Sequence, residues 1–174
     1  MEKILETSRL YLRRLEVTDA MRMSEYRQKK EVAYYQSWKK YSVKDATKRI
    51  QQCLKLTDLN LPKTNYHLAI ILKENDQMIG DLFVDVANEK VFVLGYTIDS
   101  VYWSQGYGSE IVEAFCMFMK EQYHFQRVIC YVYKDNQRSK HLLKKLDFQK
   151  FEESFFYHDA VSYTHLTLPT TSRV

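Results

Sequence analysis

The alternation of apolar and polar positions marks out the elements. From Arg9 to Leu15, Leu10 and Leu12 fall on one face and Tyr11 and Arg13 on the other, as in a half-buried strand. The period then lengthens: Thr18 reads as an N-cap, with Asp19 in the first turn of a helix reaching about Lys29. Ser42-Val-Lys-Asp45 is close to a capping box and opens a second helix to about Leu56. Strand patterns follow at Tyr66–Lys73, Met78–Ala87 and Val91–Ile98, joined by short turns, which predicts an antiparallel meander. Along 106–122, Ile111, Phe115, Phe118 and Met119 form one apolar stripe at i, i+4, i+7 and i+8, suited to packing on a sheet. Arg127–Tyr133 is a strand again, and strand, helix, strand is the crossover that makes neighbouring strands parallel. A last helix with Leu142, Leu143 and Leu146 inward leads into a strand region from Asp147. The order β-α-α-β-β-β-α-β-α-β predicts an α/β fold. It is a single domain with a mixed central sheet, a meander plus one parallel βαβ pair, flanked by helices.

Residues 1–161 read as that domain. The remainder, 162–174, carries four Thr and no acidic residue; its start is consistent with a strand continuing Asp159 to Leu166, and its end reads as a disordered or foreign tail.

Two stretches carry candidate chemistry. Gly106 and Gly108 stand where the central helix begins. A helix start leaves unpaired N–H groups and a partial positive charge, so small residues there suit an anion cradle. The other reading is glycine used only for positive φ. The loop from Ala33 to Tyr41 holds four rings, among them Tyr34, Tyr35 and Trp38, which either lid the core or form one wall of a substrate groove.

Composition narrows the classes. The net charge of +4, from 26 basic and 22 acidic residues spread along 174, suits an anionic small ligand at least as well as nucleic acid, which usually leaves a concentrated basic stripe, and no nucleic-acid partner is expected. No apolar run approaches the roughly 18 residues of a membrane span, so no membrane partner is expected. The opening MEKILETSRL lacks a signal-peptide core, and Cys53, Cys116 and Cys130 match no metal spacing and read as small buried hydrophobes. A cytoplasmic location is expected, as monomer or homodimer. The five His residues show no zinc spacing, and no metal is expected.

Three stretches stand in order: Thr7-Ser-Arg9-Leu10-Tyr-Leu12-Arg13, Trp103-Ser-Gln-Gly106-Tyr-Gly108-Ser-Glu110, and Asn136-Gln-Arg-Ser139 followed by Leu142, Leu143, Leu146 and Phe148. Together they resemble the GNAT superfamily of acetyl-CoA-dependent N-acyltransferases, in particular the branch that acetylates ribosomal-protein N-termini. The likeness spans roughly 7–158. It implies that the strands at Val91 and Arg127 splay apart, with pantetheine in the gap. It also implies that Ile98, Trp103, Ser104, Gln105, Gly106, Tyr107, Gly108, Ser109 and Asn136 bind acetyl-CoA as co-substrate, the backbone of 105–109 holding its pyrophosphate. The reaction implied is direct attack of a primary amine, peptide or small-molecule, on the acetyl thioester. Ser139 is the implied leaving-group donor; its alternative is a capping serine. Asn136 is implied to fix its loop or bond the pantetheine amide; its alternative is a plain N-cap. The chain departs from the branch at Val93, where Glu is the usual general base, leaving Asp81, Asp85, Asp99 or a water chain to consider. Asp147 stands where Gly usually precedes Phe148, which predicts a strained helix end. The hairpin from Phe155 to Leu166 is short for the family. A silent CoA-binding domain is the alternative reading.

Overall fold

In β3 (Thr64–Leu72) every residue from Tyr66 onward is buried, because helices cover both faces of the sheet. The computed structural model describes residues 2–156 and 159–167. Around β3 the elements are β1 (Lys3–Glu6), β2 (Leu10–Arg14), α1 (Ala20–Arg27), α2 (Lys30–Ala33), α3 (Val43–Cys53), β4 (Gln77–Val86), β5 (Val91–Ile98), α4 (Tyr107–Tyr123), β6 (Arg127–Tyr133), α5 (Gln137–Lys145), β7 (Gln149–Phe156) and β8 (Asp159–Thr167). The eight strands form one sheet in the order β1-β2-β3-β4-β5-β6-β8-β7. The expected meander of β3, β4 and β5 is antiparallel and continues through β2 and β1.

The sheet's two faces have different covers. Helices α1 and α3 pack on the side that receives Asp81 and His67, both buried. Helix α4 packs on the other side, burying Ile111, Phe115 and Met119 of the predicted stripe, with Val112 and Cys116 added and Phe118 only half-buried. There Phe92 meets Phe115 edge-on at 6.1 Å and Phe125 at 5.2 Å. All three cysteines are free and buried.

The end of β2 sets the first helix. Arg13 is buried and grips Asp19 through both terminal nitrogens, at 2.7 and 2.8 Å. Asp19 Oδ2 also accepts the Glu16 backbone N–H at 2.7 Å. Glu16 is therefore the N-cap, and a 3-10 turn at Val17–Asp19 precedes α1; Thr18, read in sequence as the cap, lies inside that turn. Ser42 does cap α3 as expected: its Oγ accepts from Asp45 N at 3.1 Å, and Asp45 Oδ2 accepts from Ser42 N at 2.8 Å. At the end of α5, Asp147 takes φ +62°, the left-handed conformation its place implied.

The feature that positions the site is a parting of strands. β5 and β6 run parallel and pair only at Val91↔Arg127, Phe92↔Val128 and Val93↔Ile129. Beyond these residues β5 stays with β4 and β6 stays with β8, so the two strands separate. β8 runs across the 161/162 boundary drawn in sequence, along the strand offered there over Asp159 to Leu166, and ends at Thr167; 168–174 lie outside the described residues, as do 157–158 between β7 and β8.

Candidate functional site

The loop entering α4 is held from a distance. Gly106 caps α4 with φ +82° and no side-chain capping bond, so no capping side chain blocks the helix's first N–H groups. Arg9 donates from Nη1 to the Gln105 carbonyl at 2.9 Å, pairs through Nε with Glu110 Oε2 at 2.7 Å, and lies 4.3 Å from the Tyr107 ring centre. Thr7 Oγ1 and Arg9 N both donate to Glu110 Oε1, at 2.6 and 2.9 Å. Burial raises the Glu110 carboxyl, but Thr7 and Arg9 outweigh it and hold it below its ordinary value. The Thr7-Ser-Arg9 stretch thus has a physical task, the anchoring of the glycine loop.

The two glycines differ in role. A Cβ on Gly108 would lie 2.7 Å from Leu142 Cδ1 and 3.5 Å from Ile98 Cδ1, so Gly108 admits α5 against α4 and the end of β5. Gly106 supplies the positive φ.

Where β5 and β6 part, the start of α4 and the face of α5 enclose a cavity of about 710 Å³. It brings together Ile98, Trp103, Ser104, Gly106, Tyr107, Gly108, Ser109, Asn136 and Ser139 from the residues singled out in sequence. Gln105 is not in its wall; its side chain turns away to donate to the Val101 carbonyl at 3.1 Å. Trp103 donates from Nε1 to the Ile98 carbonyl at 2.7 Å, and the Arg138 guanidinium lies 3.6 Å from its ring centre. Arg138, His141 and Lys145 bring basic groups from α5 to this wall, and sequence reading missed them.

Asn136 is an N-cap: its Oδ1 accepts from Ser139 N at 3.2 Å. Ser139 does no capping, which leaves its hydroxyl for other partners. The Tyr96 hydroxyl beside it is shut from solvent and makes no hydrogen bond of good geometry. Burial pushes that hydroxyl's pKa well up, and the Ser139 side chain pulls it partly back.

A second cavity, about 520 Å³, opens on the α1–α3 face and shares Gln36, Tyr96 and Thr97 with the first. Its floor is a buried ionic network. Asp81 Oδ1 accepts from Arg27 Nη2 at 2.6 Å and faces His67 Nδ1 at 2.6 Å, while Oδ2 accepts from the Tyr26 hydroxyl. Burial by itself would raise the Asp81 carboxyl, yet Arg27 and His67 hold it well below the usual carboxylate range. Arg27 also lies 4.2 Å from the Trp38 ring centre and 4.7 Å from that of Tyr41.

The ring-bearing loop does not form one wall. Tyr34 is 77% exposed, edge-on to Tyr35. Tyr35 lines the first cavity and donates to the Asp135 carbonyl at 3.1 Å, whereas Trp38 lines the second. Nor do the carboxylates offer a free base. Asp81 is committed as above, and Asp99 is held by Lys29 and Arg22 below its ordinary value despite burial. Asp85 lines neither cavity. Among the described residues no cluster of His, Cys, Asp and Glu could hold a metal ion.

Comparison with known proteins gives concordant findings. The model of the acetyltransferase (GNAT) domain matches residues 9–149. The uncharacterized N-acetyltransferase p20 of Bacillus licheniformis is 31% identical over 150 residues, covering 84% of this chain and 82% of its own. Ribosomal-protein-S5-alanine acetyltransferase from Vibrio fischeri has the same fold, with a TM-score of 0.81 at 18% identity over 97% of each chain. Spermidine N-acetyltransferase from Vibrio cholerae, solved with CoA and spermine, has a TM-score of 0.79 at 13% identity, over 93% of this chain and 97% of its own.

Proposed function

Because the chain belongs to the GNAT acetyltransferase family, we propose that it moves an acetyl group from acetyl-CoA to a primary amine by direct transfer. The observation that carries this reading is the parting of β5 from β6 beside two cavities that meet at Tyr96. A donor entering from the α4–α5 side and an acceptor from the α1–α3 side come together there without a covalent enzyme intermediate.

The donor side fits a polyanionic thioester. The N–H groups of the first turn of α4 hold the pyrophosphate, and Arg138, His141 and Lys145 line the same wall. The pantetheine arm lies along the edge that β5 exposes past Val93. Acetyl-CoA supplies the activated acetyl group. Ser139 donates its hydroxyl proton to the departing thiolate, with Tyr96 beside it.

The acceptor side is aromatic and basic. Its wall has the rings of Trp38, Tyr41 and Phe83, the cations Lys48 and Arg49, and, among the described residues, Asp45 as its one carboxylate apart from the network on the floor. Asp45 is already engaged with Ser42. A polyamine finds no free countercharge there, so the favoured acceptor is an amine that also carries an acidic group, as an acidic peptide N-terminus does.

The test is thiol release from acetyl-CoA over a panel of amines, amino acids and short peptides, beside a CoA titration. Turnover fastest with acid-bearing amines supports the reading. Saturable CoA binding without turnover makes the chain a silent binder, and absent CoA binding removes the donor assignment.

A further inference from the structure

His67 stands in the acceptor-side cavity with one ring nitrogen engaged and the other free. Nδ1 lies 2.6 Å from Asp81 Oδ1. An ionised carboxylate can only accept, so Nδ1 carries the hydrogen, and in the neutral ring the lone pair falls on Nε2. The Arg27 Nη2 contact to Nδ1 is longer, 3.4 Å, and a guanidinium cannot accept that hydrogen. Nε2 has no hydrogen-bond partner among the described residues and is not among the side-chain atoms shut from solvent. The side chain is 10% open, and it lines the cavity.

The sheet register puts His67 in the same cavity as Gly95 and Tyr96 of β5. His67 lies opposite Phe83 on β4, and Phe83 lies opposite Gly95 on β5. Gly95 adds no side chain of its own there, and the Phe83 ring, 5.2 Å from the imidazole, forms the cavity wall between the two. Two strand spacings amount to about 10 Å, which an amine in the cavity and one bridging water cover.

We propose that His67 is the general base of the reaction, its Nε2 taking a proton from the acceptor ammonium, with Asp81 as the positioning residue that fixes the tautomer. This rests on the acetyl-transfer reading above. The freed amine lone pair bonds to the acetyl carbon as the carbon–sulfur bond breaks. The second N–H proton replaces the one that Ser139 gives the thiolate. The imidazolium returns its proton to solvent, so the net products are amide, thiol and one released proton. No carboxylate at position 93 is then needed.

The groups that face this imidazole and its carboxylate are Asp81 from β4, Arg27 and Tyr26 from α1, Tyr41 from the loop before α3, and Arg49 and Cys53 from α3. Burial moves the imidazole below its ordinary value of 6.5; Asp81 opposes the shift, and Arg27 and Arg49 add to it. The base is therefore free at neutral pH, and kcat should rise with pH through an inflection below 6.5 and then level off.

The variant that tests this is His67→Asn. Its amide N–H stands close to where Nδ1 was and keeps Asp81 partnered, while Nε2 is deleted. With the best amine of the panel, kcat is expected to fall about 10²-fold or more, the acidic inflection to vanish, and added imidazole to restore part of the rate, with CoA affinity unchanged. A kcat within about threefold of wild type with the inflection intact overturns the base role while leaving acetyl transfer standing. If thermal melting shows that His67→Asn does not fold, an NMR titration of the wild-type imidazole decides. Coincidence with the kinetic inflection supports the proposal, and titration elsewhere overturns it. Wild-type protein that releases no thiol with any amine removes the acetyl-transfer reading and the base role together.

Discussion

The two cavities that meet at Tyr96 are built in opposite ways. The donor side comes mainly from two chain-local stretches, Ile98–Ser109 and Asn136–Lys145, and works largely through backbone N–H groups, a left-handed glycine and close helix packing. The acceptor side takes Arg27 from α1, Trp38 and Tyr41 from a loop, Arg49 from α3, His67 from β3 and Tyr96 from β5. It works through side chains that only the sheet register brings together. A backbone-built site demands particular residues at fixed short spacings; a side-chain-built site demands only that distant residues share a face. The first leaves a motif and the second does not.

The largest expected effect breaks the acceptor side alone. Asp81→Asn leaves the buried Arg27 charge without its partner, which costs about 3–5 kcal/mol, seen in denaturant unfolding. Titration of CoA under conditions where the variant is folded should give wild-type affinity, since Asp81 touches nothing on the donor side. Acid unfolding carries the same signature. Asp81 is held below its ordinary value of 3.8 in the folded protein, so its contribution is fully present above that pH. It is lost as pH falls further, because the unfolded chain takes up the proton first. His67, held below 6.5, adds to the same slope at higher pH. Asp81→Asn should flatten the acid limb below pH 4.

Next comes chemistry on the donor side. Ser139→Ala should lower kcat by about 10²-fold with little change in CoA affinity or in melting temperature, because Asn136 and not Ser139 caps α5. An unchanged rate would return the thiolate proton to water. Gly108→Val is smaller in energy and different in kind. Its Cβ would meet Leu142 at 2.7 Å, so α5 must shift, costing about 1–3 kcal/mol in stability and loosening CoA through the moved wall. Thermal melting and CoA titration should fall together; weaker CoA binding with wild-type stability would mean that Gly108 faces ligand and not helix.

Much of the fold was legible for the same reason as the donor side. Period-two runs gave β3 to β6 to within two residues, Ser42 and Asp45 gave the α3 cap, and the apolar stripe gave the buried face of α4. The first cap was misread because Asp19 answers a long-range demand, the buried Arg13, as well as the local one. β1 escaped because it is a four-residue edge strand, half-exposed, with too short a run to show a period. Asp81 was read correctly onto the face opposite Leu82 and Val84, but alternation says which face and not what covers it. Only the placement of α1 over that face makes the residue a buried anchor. His67 was invisible as chemistry for the same reason: its partner is 14 residues away, at a spacing that matches no local motif.

The smallest predicted effect tests the boundary between the two sides. In sequence, Tyr35 stood with Tyr34 and Trp38 as either a lid on the core or one wall of a substrate groove; in the structure it lies over the donor cavity, tied to the Asp135 carbonyl ahead of α5. A neutral, partly exposed hydrogen bond contributes about 0.5–1.5 kcal/mol, so Tyr35→Phe should weaken CoA binding by a few-fold at most. KM for the amine should stay at its wild-type value, because the ring itself is kept and no acceptor-side residue is touched. Trp38→Phe is the matched control. It thins the aromatic cover over Arg27 and should raise the amine KM while leaving CoA affinity alone. Steady-state kinetics with both substrates varied separates the cases. The reverse pattern, Tyr35 moving the amine KM and Trp38 moving CoA affinity, would mean that the loop crosses the site the other way and that the donor and acceptor cavities are exchanged.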